Sequence, residues 1–367
     1  MTARKWPERR LIELLAIEHP IVLSPMSRYG SVELAVSVCA AGGLGSLGCA
    51  LLSPAEAAAE VGRLRALTDR PFSLNFFCHR SPVADEAGEA AWLDRMMPYY
   101  REYGIAFDDT ALRVEVEPFG ETMCSLIEET RPAVVSFHMG MPELHFVDRI
   151  RAAGCLIMSS ATTVEEAKCL DALGTDIIIA QGIEAGGHRG TFISDSPSSA
   201  IEAQLGTFAL VPQIVDAVRA PVIAAGGIAD GRGIAAAFAL GAAGVQIGTA
   251  FLRCPEASIS PPYRDALRDA GSGDAVLTNV FTGRVARALR NRLVMEKGAI
   301  AADAPGFPRA MHATMQLAIG AQKRGDVDFT PFWAGQASPL GRELPADVLT
   351  RALVREAFER FSALNAG

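Results

Sequence analysis

The sequence predicts an α/β fold: a closed (β/α)8 TIM barrel with inserted helices and a C-terminal, mainly helical cap. Three observations carry that expectation. Eight short apolar segments, many of them β-branched, recur over the first two thirds of the chain. Helix-like stretches separate them, and those stretches carry start signals and glycine stops. Strand then helix, repeated eight times in series, favours a ring of parallel strands over an open sheet.

Taken in order, the strand candidates are Pro20–Ser24, Leu44–Leu47, Phe72–Asn75, Ala133–Phe137, Cys155–Ser159, Asp176–Ala180, Val222–Ala225 and Gly244–Ile247. Such continuous apolar runs suit strands buried on both faces. Helical stretches lie at Val32–Ala41, Pro54–Leu67, Glu143–Ala153, Thr163–Leu173 and Arg232–Leu240. Ser53 before Pro54, and Thr163 with Glu166 as a capping box, mark helix starts. Gly42, Gly154, Gly174 and Gly241 mark helix ends.

Two interruptions break the spacing. Residues 78–131 are too long for one helix and are read as added helices around Trp92–Tyr103. Residues 183–210, rich in Gly, Ser and Asp, are read as a cover over an active site. The barrel is thus assigned to residues 1–253. Residues 254–367, expected to be helical over Pro261–Ala270, Arg284–Lys297, Ala310–Arg324 and Pro345–Ala363, form a cap on its mouth. No flexible linker precedes that tail, which argues against a separately folding domain.

Composition excludes several functions. A chain of 367 residues with 50% hydrophobic content can bury a large core. Its net charge of −8 argues against nucleic acid or an anionic membrane surface as the main partner. No apolar run reaches membrane-spanning length, and the charged stretch Met1–Arg10 lacks the apolar core of a signal peptide. Seven cysteines without a Cys-x-x-Cys pair read as free thiols in a reducing, cytoplasmic setting. Six scattered histidines give no metal-ligand spacing. Gly-x-Ser-x-Gly, Gly-x-Gly-x-x-Gly after the first strand and a Walker lysine are all absent.

The chemistry is concentrated in Gln181-Gly-Ile-Glu-Ala-Gly-Gly-His-Arg-Gly190, which follows the sixth strand. Its glycines let the backbone turn sharply and approach a ligand closely. Among them stands one titratable side chain, His188. Strand-end loops of α/β folds are where sites are built, so His188 is the catalytic candidate. Arg189 either attracts an anionic substrate or faces water at the loop tip. Strands seven and eight end in Ala225-Gly-Gly-Ile-Ala-Asp230 and Gln246-Ile-Gly-Thr-Ala250. Gly226, Gly227 and Gly248 would expose backbone N–H groups and Thr249 a hydroxyl, which suits a phosphate without a lysine. Met26, Asn75, His138 and Gln181 close strands one, three, four and six. Amides there can meet both donors and acceptors of a heterocycle. Phosphate at strands seven and eight with a flat ring over the barrel centre fits flavin mononucleotide (FMN). Cys78 reads as a small packed residue, with no base near it in sequence.

Together these motifs resemble the nitronate monooxygenases, formerly 2-nitropropane dioxygenases, an FMN-dependent barrel family. The resemblance runs from Pro25-Met26 through Ala41-Gly-Gly-Leu-Gly45, Ser136-Phe-His-Met-Gly140 and Glu184–Gly190. It continues through Ala224–Asp230 and Gln246–Thr249 to Trp333-Ala-Gly-Gln336. It implies that His188 lies by the flavin as base or orienter. It also implies that Pro25, Met26, Asn75, Gln181, Gly186, Gly227, Gln246, Gly248, Thr249 and Gln336 stand at FMN-contacting positions. Ser27, Gly187, Gly226 and Ile247 complete the expected set. The implied reaction is oxidation of an alkyl nitronate, or a related small carbon acid, by O2 to a carbonyl compound and nitrite.

The wider superfamily includes flavin-dependent enoyl-ACP reductases and NADH:quinone reductases, which share the Glu-Ala-Gly-Gly-His segment. An NAD(P)H-dependent reductase is therefore the alternative, and the Phe137–Gly140 run and Ala334-Gly-Gln336 favour the oxygenase. A non-catalytic flavin-binding protein is the reading from another class, and His188 argues against it. Met311-His-Ala-Thr-Met315 lacks the tyrosines that bacterial members place over the substrate, so a different substrate pocket is expected. His138 and His312 are its candidate polar wall residues. The helical tail offers a surface for a homodimer.

Overall fold

The computed structural model describes residues 5–110, 116–194 and 199–365. Residues 111–115 of the expected insertion and 195–198 of the expected cover lie outside the described residues. Eight parallel strands form the centre: β1 (Ile21–Leu23), β2 (Gly45–Gly48), β3 (Phe72–Phe77), β4 (Val134–His138), β5 (Leu156–Ala161), β6 (Ile177–Gln181), β7 (Val222–Ala225) and β8 (Gly244–Ile247). Their spatial order is β1-β8-β7-β6-β5-β4-β3-β2. A parallel bridge between Val22 and Leu44 brings β2 against β1 and closes the ring. Each strand coincides with a segment expected from the sequence.

Alternation along the strands divides the core into two layers. Leu23, Leu74, Val135, Ile157, Ile178 and Val245 point outwards into the cluster shared with the helices. Val22, Met158, Ile177, Ile179 and Ile223 point inwards and pack with Leu11 and Leu15 of a short helix, Arg10–Leu15. Leu11 also lies against the start of β8, where a side chain on Gly244 would meet it. That helix plugs the N-terminal end of the barrel, and the opposite end is left for function.

The expected helix signals are present with one change. Ser53 and Glu56 form a full capping box on the helix Pro54–Leu67. Thr163 caps Val164–Ala172, but Glu166 does not return to the Thr163 backbone. Its carboxylate accepts from Thr162 N–H and Oγ1 at 2.7 Å and from Phe192 N–H at 2.7 Å. The glutamate therefore ties the helix start to the segment beyond β6 rather than completing the box.

The helix expected over Arg284–Lys297 is not formed as such. Residues Ala286–Leu289 are a strand, and Arg292–Lys297 alone is helical. Ala286–Leu289 pairs antiparallel with Ala275–Thr278 on one side and with Gly187-His188 on the other. Helix-forming alanines and leucine give way here to pairing partners on both edges.

The inserted helix Glu86–Glu102 packs on Met311–Gln322 in a cluster of Trp92, Met96, Tyr100 and Leu317, which Phe329 from beyond the second helix joins. The last helix, Ala346–Asn365, lies instead on the barrel helices Gly231–Ala239 and Val32–Ala40. Residues beyond 253 thus contribute both to the mouth and to the outer wall. No helix among the described residues is long and apolar enough to cross a membrane.

Candidate functional site

The C-terminal strand ends and the helix Met311–Gln322 enclose a cavity of about 370 Å3, a size usual for cofactor and small-molecule sites. It gathers most of the residues singled out in the sequence. Pro25, Met26 and Ser27 follow β1, and Asn75, His138 and Gln181 stand on β3, β4 and β6. Gly186, Gly187 and His188 lie beyond β6, Gly226 and Gly227 beyond β7, and Gln246, Gly248 and Thr249 at β8. Register explains this grouping: Gln181 lies opposite Ala225, and Ala225 opposite Gln246.

Three expected residues stand outside the wall. Ile247 turns its side chain into the outer core, with 1% exposed. Gln336 is exposed, and its backbone N–H donates to the Glu184 carbonyl at 3.0 Å, so Gly335 and Ala337 line the cavity in its place. His312 faces away, with its ring 5.2 Å from Phe107 and Nε2 3.7 Å from Asp109. Helical spacing accounts for the last: Met311, Thr314 and Met315 occupy the cavity face, and His312 falls a quarter turn off it.

The glycine rim is built for close approach. Gly226 has φ +109°, and a Cβ there would lie 2.9 Å from the Ala185 nitrogen. Gln246 Oε1 is buried with no hydrogen-bond partner among the described residues. Asn75 donates from Nδ2 to the Ser136 carbonyl and Oγ at 3.2 and 2.9 Å. A buried amide carbonyl without a donor is a signature of a ligand N–H or O–H.

His188 is held through its backbone. Its carbonyl accepts from His138 Nε2 at 3.1 Å and from Gln181 Nε2 at 3.0 Å. Gln181 Oε1 in turn accepts the Gly190 N–H at 2.9 Å, so both ends of this amide fasten the loop. His138 Nδ1 lies 2.7 Å from Ser160 Oγ. The His188 imidazole places Nε2 3.0 Å from Thr282 Oγ1, between Phe307, Trp333 and Phe77 at centroid distances of 5.3, 5.1 and 6.3 Å. Burial pushes its pKa down to about 3, and the charges of Arg284, His138 and His79 act in the same direction. Burial likewise holds His138 and His79 at about 4.

Arg189 is neither at a loop tip nor near water. It is fully buried, with Nη1 donating to the Gly182 carbonyl and Nη2 to the Gln181 carbonyl, both at 2.7 Å, and Nε to Gln204 Oε1 at 2.9 Å. Burial lowers its pKa to about 9, which leaves it a cation at neutral pH. Cys78 is half-buried, and burial raises its thiol pKa well above the usual value.

The three histidines give a stability prediction. All are neutral when folded, whereas the unfolded chain binds protons near pH 6.5. Below that pH the unfolded state gains protons that the folded state refuses, so stability falls as pH drops from about 6.5 towards 4. The urea midpoint is expected to be lower at pH 5 than at pH 7.5, and H138Q is expected to flatten that slope.

Sequence reasoning missed Thr282, Phe307, Phe77 and Ser160, and named Trp333 only within a motif. Thr282 reaches His188 solely because Ala286–Leu289 is a strand beside Gly187-His188, and no local spacing announces such a pairing.

A family model described as nitronate monooxygenase matches residues 8–356. A nitronate monooxygenase of Pseudomonas aeruginosa is 43% identical over 352 residues, covering 95% of this chain and 98% of its own. One from Paraburkholderia phytofirmans is 41% identical, covering 95% of each. Among solved structures, a nitroalkane oxidase from Streptomyces ansochromogenes superposes with TM-score 0.88 at 38% identity, over 96% of this chain and 99% of that one. FabK from Thermotoga maritima superposes at 0.73 with 29% identity, over 100% and 99%.

Proposed function

Since the chain belongs to the nitronate monooxygenase family, we propose that it binds FMN and oxidises alkyl nitronates with O2, releasing a carbonyl compound and nitrite. The observation that carries this reading is a neutral imidazole, His188, set in an aromatic wall beside a glycine-rimmed cavity.

The residues fit the cofactor. Gly226, Gly227, Gly248 and Thr249 would hold its phosphate, and the unpartnered Gln246 Oε1 with Asn75 would meet the polar edge of its ring. When bound, FMN supplies the redox chemistry that links a carbon acid to O2. The protein's own part is placement and proton handling. Thr282 Oγ1 lies 3.3 Å from the Arg284 carbonyl, which only a donor can approach. With the hydroxyl proton there, His188 Nε2–H donates to Thr282 Oγ1, and Nδ1 keeps a lone pair for the substrate's Cα proton. A neutral nitroalkane is thereby a second substrate form. Phe77, Phe307 and Trp333 exclude water around this nitrogen and keep the imidazole uncharged.

The deciding experiment is anaerobic mixing of the yellow protein with an alkyl nitronate, NADH or NADPH, followed by admission of O2 and nitrite assay. Loss of flavin colour with the nitronate alone, then nitrite, supports the reading. Rapid bleaching by NADH or NADPH without nitrite from nitronates supports a reductase, in line with the FabK superposition. G226A is expected to weaken flavin retention by at least about tenfold, since its Cβ must displace the Ala185 backbone. The flavin-to-protein absorbance ratio after dialysis checks this.

A further inference from the structure

We infer that the wall built by the helix Met311–Gln322 selects nitronates and nitroalkanes with an extended apolar tail and no second charge. This rests on the oxidation reading above. The helix turns Met311, Thr314, Met315, Ala318, Ile319 and Gln322 to the cavity, steps of three and four that keep to one helical face. Eleven residue steps make that face about 16 Å long.

One end of the stripe stands at the reacting group. Met311 packs with Phe307, Phe77 and Met315 in a single apolar cluster, and Phe307 is the ring 5.3 Å from His188. Further along, Ile319 is 37% exposed, so the stripe leads outwards. The Thr314 hydroxyl is turned from the cavity and donates to the Phe281 carbonyl at 2.6 Å. At the far end Gln322 donates from Nε2 to Thr330 Oγ1 at 2.8 Å, so the surface offered along Met311–Ile319 is methyl and thioether, and methionines adapt to tails of different length.

The helix wall itself carries no charge to neutralise a second anion. The lining residues with a formal charge, among those described, are Arg28 and Glu184. The Glu184 carboxylate accepts from Thr207 N–H and Oγ1 at 2.9 Å. Arg28 stands in the stretch after β1, off the helix Met311–Gln322, and is exposed. Arg284, whose charge reaches His188, donates to the Arg189 and Thr191 carbonyls and lies outside the wall. A carboxylate carried into the stripe would be buried without a partner, a costly state.

The test compares nitronates of nitroethane, 1-nitrobutane and 1-nitrohexane with propionate 3-nitronate on the flavin-loaded enzyme. The Kd values of the parent nitro compounds are measured by anaerobic equilibrium dialysis. From ethyl to hexyl, kcat/KM is expected to rise about threefold per methylene, with Kd falling in parallel. Propionate 3-nitronate is expected at least about tenfold below the butyl compound. M315K is expected to reverse that last preference, and the series on the unaltered enzyme decides the matter even where the variant does not fold. A flat series, or propionate 3-nitronate equal to the butyl compound, overturns the tail assignment while nitronate oxidation stands. Turnover of no nitronate overturns both.

Discussion

H188N is expected to lower kcat for oxidation of a neutral nitroalkane by about 100- to 10,000-fold, far more than for the preformed nitronate, with flavin content and melting temperature close to those of the parent. The backbone of residue 188, not its ring, carries the structural load: the carbonyl takes two hydrogen bonds, and residues 187 and 188 pair with Arg287 and Ala286. The ring makes one hydrogen bond, to Thr282. Removing it therefore removes chemistry more than architecture. A companion pH profile sharpens the assignment. With its pKa held down to about 3, His188 is neutral and able to accept a proton from pH 5 upwards, so kcat/KM for a neutral nitroalkane should show no inflection near pH 6.5. An inflection near 6.5, or a variant within tenfold of the parent on the neutral nitroalkane, contradicts the role given to this imidazole.

R189M is expected to cost about 3 kcal/mol of folding stability and to depress turnover with it. A buried charged donor whose removal strands its acceptors belongs among the most damaging losses. Here the Gln181 carbonyl and Gln204 Oε1 lose the Arg189 donor, and the Gly182 carbonyl keeps only the Ala185 N–H at 3.1 Å. Gln181 also fastens the His188 carbonyl, with His138, so the perturbation reaches the His188 loop directly. Calorimetry of R189M and R219M makes the comparison. Arg219 has 90% of its side chain exposed beside Asp171, and its variant should lie within about 0.5 kcal/mol of the parent. Similar losses in both would mean that the buried fork of Arg189 contributes nothing special.

The barrel was legible because its strands are short, apolar and punctuated by glycine. Gly42, Gly154, Gly174 and Gly241, expected as helix stops, all adopt positive φ. The strand-end residues were legible for the same reason, since a barrel's period fixes which positions reach its mouth. Tertiary pairing was not legible. Ala286–Leu289 has the composition of a helix and becomes a strand through its two neighbours, and Thr282 and Arg284 come to the histidine with it. Arg189 follows the same logic. A charged residue in a glycine loop reads as solvated, and only the enclosing fold provides three acceptors to bury it.

The antiparallel pairing of Gly187-His188 with Ala286-Arg287 bears on how this molecule could be recombined. A chimera that grafts a foreign tail onto residues 1–253 would leave the catalytic loop with an unpaired edge and without Thr282. The pairing that sets His188 is thus inherited with the barrel, whereas the stripe on Met311–Gln322 lies beyond it and can be exchanged separately. Exchange of pocket walls between relatives should respect a crossover that keeps Ala275–Leu289 with its own barrel and begins the foreign sequence after it.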